Sequence, residues 1–333
     1  MKLHVDREAF SVLLDSVSEQ TGIRADILEK DYYLTLLLCE LAEKQANLPA
    51  YFKGGTALYK AIGSMKRFSE DIDLTVEIKD CSKSQGKKRL ENAANAYFSM
   101  ERTHDKEKEI NTKGSITSVY EYIPVTVIDR KDELQRFGYV KVEATSFTIS
   151  EPYEALQVEP LIYTQATEEQ RTLLKKLYEV EPFAVKTIKM ERIFADKLLA
   201  AEFYYQRNLL FDVSKHLYDI AVMMEQERIQ KLISENERFI EMISYKRIEE
   251  QERIGSDLAA KPFCKFSLFN NLSSDSQLQK NFIQMQNTYV FDEKDKMEYK
   301  KLLVELGQLY KVLINLDEGL EQRQVNVQAM KIE

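Results

Sequence analysis

The stretch FKGGTALYKAIGSMKRFSEDIDL, from Phe52 to Leu74, limits the possible folds more than any other part of the chain. AYFKG, just after Pro49, reads as a short strand, and residues 56–62 read as a helix leaving two adjacent glycines. DIDLTVEI (71–78) alternates and is rich in β-branched residues, so a second strand is expected there. A strand, a tight turn, a helix and another strand require a sheet with helices packed on it. Glycine is scarce, ten residues of 333. A Gly54-Gly55 pair therefore marks a place where the backbone turns sharply or is approached closely.

Two chemistries meet in this stretch. Where a strand ends and a helix opens, free backbone N–H groups and the positive end of the helix dipole face outward, and that arrangement suits an anion. Gly54 and Gly55 remove the Cβ atoms that would hold a phosphate away, and Thr56 adds a hydroxyl donor; a purely structural turn would use the same glycines. Asp71 and Asp73 are two apart on a strand, so both carboxylates project to one face while Ile72 and Leu74 enter the core. Parallel carboxylates repel unless something positive sits between them. Mg2+ suits such a pair, because it takes oxygen ligands and completes its shell with water and substrate phosphates. The alternative is an exposed strand face carrying ordinary acids. Lys66 and Arg67, just before the aspartates, favour a polyanion at this spot.

A third acid is available. In GYVKVEATSF, Val140, Val142 and Ala144 share one face of a strand and Lys141 and Glu143 the other. If that strand lies beside 71–78, Glu143 joins the aspartates, to bind metal or orient an attacking hydroxyl; alternation alone makes it a solvent-facing residue.

Helices are expected at 6–20, 24–46, 84–106 and 166–179. The clearest strand pair is 115–128 with 138–149, connected through Arg130 to Phe137, and a last strand runs from Phe183 to Ile188. From Met190 the pattern turns almost wholly helical, at 190–207, 212–226, 228–253 and 294–318, with 261–277 loop-like. The expected architecture is α+β: a mixed sheet with flanking helices over residues 1–189, and a helical lobe over 190–333.

The formal charge of −8 argues against a general nucleic-acid coat. Between Lys53 and Arg89, however, nine basic residues stand against five acids, a rim compatible with one polyanion site. Three cysteines and three histidines, all far apart, make a zinc site a poor fit. The longest apolar run, Tyr32 to Cys39, is too short to cross a bilayer. The start, MKLHVDREAF, lacks the shape of a signal peptide. A cytosolic protein is expected.

A Gly-Gly turn, a helix and Asp-x-Asp on the following strand resemble the nucleotidyltransferase superfamily. With LEKDYYLTLLL (28–38), FKGGTALYKAIG (52–63), RFSEDIDL (67–74), KVEATSF (141–147) and the stretch from ERIFADKLLA to KHLYDI (191–220), the chain is similar to the AbiEii family. These are nucleotidyltransferase-like toxins of type IV toxin–antitoxin systems, among them MenT-like tRNA-modifying toxins. The resemblance implies that Gly54, Gly55 and Thr56 form the nucleotide-binding turn and that Asp71 and Asp73 ligate Mg2+. It matches Lys197 to a lysine that contacts nucleotide phosphates and Asp219 to a downstream catalytic or base-like aspartate. Lys197 lies on or beside the apolar stripe of its helix, which fits either a snorkelling lysine or one aimed at phosphate. The implied reaction uses an NTP, with tRNA as acceptor and a cognate antitoxin as partner, and no membrane. Two readings stay open beside it: the same chemistry on a protein or small-molecule acceptor, and an inert interaction module.

Overall fold

A computed structural model describes residues 1–105, 107–112, 114–127, 137–147, 152–254, 258 and 260–330. The expected connector Arg130 to Phe137 lies outside the described residues apart from Phe137, as do the final positions of the two long strands, at 128 and 148–149. Two compact units divide the chain, Met1–Ile188 and Lys189–Glu333.

The first unit opens with helices α1 (Arg7–Thr21) and α2 (Ala25–Lys44), then β1 (Ala50–Lys53), α3 (Gly54–Ile62), β2 (Ile72–Glu77) and α4 (Lys83–Asn95). Strands β3 (Glu101–Thr103), β4 (Ile110–Thr112), β5 (Ser115–Glu121), β6 (Tyr139–Phe147) and β7 (Tyr153–Val158) follow, then α5 (Leu161–Thr164), α6 (Glu168–Tyr178) and β8 (Phe183–Ile188). The eight strands form one sheet in the order β3-β5-β6-β2-β1-β8-β7, with β4 against β5. It is mixed: β2 with β6 and β1 with β8 are parallel, and the other pairs are antiparallel.

Alternation places Ile72, Leu74 and Val76 of β2 and Val140, Val142 and Ala144 of β6 in the core. Helix α2 is buried well beyond its apolar stripe, because its acids are bonded to loops. Glu29 accepts from the Val125 and Thr126 backbone N–H groups at 2.7 and 3.1 Å, although burial still pushes its carboxyl above the ordinary range. The parallel seam between β1 and β8 pairs only Phe52 with Thr187. A side chain extends it: the buried Gln45 amide donates to the Ala50 and Lys186 carbonyls at 2.7 and 2.8 Å and accepts from Lys186 N–H at 2.7 Å.

Helix α4 ends at Asn95, short of the expected 106. The Phe98 and Ser99 N–H groups donate to the Glu40 carboxylate at 2.7 and 2.8 Å, and Tyr97 and Met100 are buried. Long-range bonding therefore takes this backbone away from the helix, and β3 begins where helix was expected.

The second unit is helical throughout its described secondary structure: α7 (Met190–Tyr205), α8 (Leu210–Met224), α9 (Glu227–Ser234), α10 (Asn236–Ile254), α11 (Ser267–Asn271), α12 (Ser276–Tyr289) and α13 (Tyr299–Met330), with short 3-10 turns. The helix expected over 228–253 is two, broken at Glu235. The stretch expected as loop, 261–277, is ordered by buried carboxylates. Glu202 accepts from Ser267 and Leu268 N–H at 2.9 and 2.8 Å, capping α11. Asp317 accepts from Phe263 and Cys264 N–H at 2.8 and 3.0 Å. No helix among the described residues is long and apolar enough to cross a membrane.

Candidate active site

Strand β1 delivers the chain to the turn in extended conformation at Lys53, and α3 starts at Gly54 with φ at +82°. The two glycines are approached by different groups. A Cβ on Gly54 would overlap Asp73 Oδ2 and lie 2.8 Å from Asp73 Cγ. A Cβ on Gly55 would lie 2.8 Å from Ser69 Oγ and 3.0 Å from Arg67 Nη2. Both positions need glycine for close approach, and Gly54 also for its dihedral. Thr56 is buried, and its hydroxyl lies 3.0 Å from Ser69 Oγ and donates to the Asp71 carbonyl at 2.8 Å. That contact ties the start of α3 directly to the first aspartate. Arg67 is buried as well, donates to the Phe68 carbonyl at 3.0 Å, and has its guanidinium 5.6 Å from the Tyr59 ring centroid.

Sheet register assembles the acids. Asp73 is paired with Glu143 on β6 and with Lys53 on β1, so the three residues form one row across the sheet. Side chains in register on adjacent strands project to the same face. Glu143 accordingly registers the crowding. Burial, then the charges of Asp73 and Asp71, raise its pKa to about 7, with Lys141 and Lys53 pulling the other way.

Among the described residues, no cluster of three or more His, Cys, Asp or Glu side chains is arranged to cage a metal ion. A Mg2+ site does not require a cage, since one or two carboxylates plus phosphates and water suffice. Hard oxygen donors held close enough to perturb one another, beside a turn with no Cβ atoms, fit Mg2+ with a nucleotide.

A stability measurement reads this crowding. The folded protein retains a proton on Glu143 that the unfolded chain releases between pH 4.5 and about 7. The Glu143 contribution to stability is therefore fully present below that window and is lost as pH rises through it, by about 1–3 kcal/mol. Glu143→Gln is expected to remove this loss, so chemical denaturation at pH 5 and pH 8 should show a smaller difference for the variant than for the parent. Equal pH dependence in both would show that the carboxylates are not crowded.

Lys197 and Asp219 belong to the helical unit, on α7 and α8, and are brought together: Lys197 Nζ lies 2.8 Å from Asp219 Oδ2, whose side chain is fully buried. Lys66 is half-buried beside Arg67. Reading the sequence did not single out two residues of this arrangement. Lys53 entered only as one charge of a basic rim, yet an antiparallel pairing of 50–53 with 73–76 would have placed it opposite Asp73. Ser69, against Gly55, carries no motif by which to find it.

The model of the family described as "Nucleotidyl transferase AbiEii toxin, Type IV TA system" matches residues 36–308. Among solved structures, MenT4, a nucleotidyltransferase toxin from Mycobacterium tuberculosis H37Rv, is similar at 15% identity and a TM-score of 0.47, covering 88% of this chain and 98% of its own. No curated protein matches the chain significantly in sequence. With the family match running from within α2 to within α13, the chain belongs to the AbiEii family of nucleotidyltransferase toxins of type IV toxin–antitoxin systems.

Proposed function

We propose that this nucleotidyltransferase moves a nucleoside monophosphate from an NTP to the 3′-terminal hydroxyl of tRNA in a Mg2+-dependent reaction. The acceptor oxygen bonds to the α-phosphorus, the bond from that phosphorus to the bridging oxygen breaks, and pyrophosphate leaves. The observation that carries the reading is the row Lys53–Asp73–Glu143 set against the Gly54 backbone. Asp71 and Asp73 are the residues that would hold the metal, with Glu143 beside them. When bound, Mg2+ supplies Lewis-acid polarisation of the α-phosphate. The backbone of Gly54, Gly55 and Thr56 would receive the phosphates at the start of α3, the glycines admitting Asp73, Ser69 and Arg67 to the turn and Thr56 fixing it to Asp71, and Lys66 and Arg67 would neutralise the leaving pyrophosphate, so these residues act by positioning and electrostatics. Glu143, whose pKa lies near neutrality, is suited to accept the hydroxyl proton. Lys197 and Asp219 carry the roles that the family pattern gives them, a phosphate contact and a catalytic or base-like carboxylate. A cognate antitoxin and a cytoplasmic location complete the reading.

The test incubates the protein with total tRNA and each labelled NTP in turn, beside Asp71→Ala. One NTP is expected to label tRNA at its 3′ end, with Mg2+ required and the variant inactive. Labelling that survives the substitution, or none with any NTP, would overturn the proposal.

A further inference from the structure

The row of acids has two sides, and the strand order tells them apart. Strand β2 lies between β1 and β6, and the glycine turn follows β1. Lys53 and Gly54 therefore flank Asp73 on one side, and Glu143 flanks it on the other. In a displacement at phosphorus the attacking and leaving oxygens stand roughly in line. With pyrophosphate leaving towards the glycine turn, the acceptor hydroxyl comes in over β6.

Besides Glu143, β6 carries one charged side chain, Lys141. The two are two residues apart on the strand, so they project to the same face about 7 Å from one another. Asp71 and Lys141 immediately precede the register pair Ile72–Val142, which sets the lysine level with the first aspartate. Lys141 is half-buried, and its charge reaches Glu143, where it opposes the aspartates. Yet among the described residues its ammonium makes no ion pair or hydrogen bond, and neither does the Asp71 carboxylate. A half-buried lysine ordinarily finds an acceptor. In this unit Lys60 has Asp31 at 2.8 Å, Lys108 has Asp105 at 2.8 Å, and Lys186 has the Gln45 carbonyl at 2.8 Å. The next residue on the same face, Tyr139, adds no open charge: the Lys108 ammonium 4.5 Å from its ring centre is the one already held by Asp105. The acceptor side thus offers a single ammonium that lacks an acceptor, beside the carboxylate suited to take the hydroxyl proton.

A 3′-terminal nucleoside supplies what that ammonium lacks. Its hydroxyl is one sugar away from its own phosphodiester, which is an anion. A protein hydroxyl or a small neutral acceptor brings no charge to that place. We infer that Lys141 is a binding residue for the acceptor, receiving the phosphodiester that precedes the 3′-terminal nucleoside of an RNA while Glu143 faces its hydroxyl. The inference rests on the proposed transfer to an RNA 3′ end, and deepens it by naming the group that tells such an acceptor from an uncharged one. A lysine that served only as a counter-charge to the acids would act on Glu143 and would not sense the charge of one RNA linkage.

The experiment measures the affinity of the full chain for a tRNA by fluorescence anisotropy, without NTP or Mg2+. A second tRNA has its last phosphodiester replaced by an uncharged methylphosphonate. Lys141→Ala is expected to bind the ordinary tRNA about tenfold more weakly, and its slope of log affinity against log salt to be shallower by about 0.7, the share of one phosphate. Lys141→Arg, which keeps the charge, should stay within about threefold of the parent. Lys176→Ala removes an equal charge from an exposed position on α6 and should bind as the parent does. The neutral linkage is expected to weaken the parent about tenfold and Lys141→Ala no further, because the contact is already gone. The comparison of the two tRNAs on the parent needs no variant, so the test holds even if Lys141→Ala does not fold. Parent affinity that ignores the linkage, or losses that add in Lys141→Ala, would overturn the contact. Transfer with labelled NTP is read separately: Lys141→Ala should raise the KM for tRNA and leave the KM for NTP as it is. Transfer to tRNA without the expected binding pattern would sink the contact and leave the functional proposal standing. The expected binding pattern with no transfer would do the reverse.

Discussion

Asp73→Asn is expected to lower the rate of nucleotidyl transfer by about a thousandfold or more, because metal-assisted charge stabilisation supplies several kcal/mol at the transition state. Asparagine keeps the size of the side chain and one oxygen, so the fit against Gly54 is preserved and only charge is lost. The same substitution removes the larger of the two charges that raise the Glu143 pKa. At pH 8, where that crowding is greatest, the variant should be at least as stable as the parent. Activity and stability are thus expected to move in opposite directions, a combination that a merely structural aspartate would not give. Initial rates with the labelled NTP, together with denaturant titrations at pH 8, measure both. Transfer within tenfold of the parent would remove Asp73 from the chemistry.

Gly54→Ala is expected to damage both properties. The left-handed dihedral of +82° alone costs a residue with a Cβ about 1–2 kcal/mol. The new methyl would also overlap Asp73 Oδ2 and lie 2.9 Å from Asp73 Cβ, on a strand held from both sides. Either the turn or the carboxylate must move, and a displacement near 1 Å at a reacting centre costs about a hundredfold in rate. The expected outcome is a stability loss of about 2 kcal/mol or more with transfer reduced about a hundredfold. Gly22→Ala is the control. Gly22 has φ +74° at the end of α1 and nothing within 4 Å of an added Cβ, so it should show the backbone cost and keep its activity. A Gly54→Ala protein with parental kinetics would show that the turn does not position Asp73.

Much of the candidate site is legible in the sequence because its parts lie close together along the chain. The Gly54–Asp73 stretch carries its turn, helix and strand in local pattern alone: the glycines announce the turn, and alternation assigns Asp71 and Asp73 to one face and Ile72 and Leu74 to the other. The central sheet and the helices α2, α7 and α8 were legible for the same reason. What escaped depends on distant partners. Helix α4 stops at Asn95 because Glu40 bonds the backbone just beyond it, and no local residue signals that. The short strands β4 and β7 went unnoticed, since their extended backbone is set by pairing with β5 and β8 rather than by an apolar alternation of their own. Helix α12 was missed although Leu278, Phe282, Met285 and Tyr289 follow a helical spacing and all four are buried; the polar residues among them masked the stripe. Lys53 needed strand register, which a linear pattern does not encode.

The parallel pairing of Asp73 with Glu143 also bears on how the protein comes into being. Glycine turn and aspartates emerge from the ribosome together, but the strand that completes the row follows only after α4 and β3 to β5 have been made. Closing such a non-local ladder is entropically slow compared with forming a helix or a hairpin. A nascent or truncated chain ending before residue 139 therefore carries the aspartates without the partner that crowds them, and the complete acidic row arises only once the sheet has been threaded.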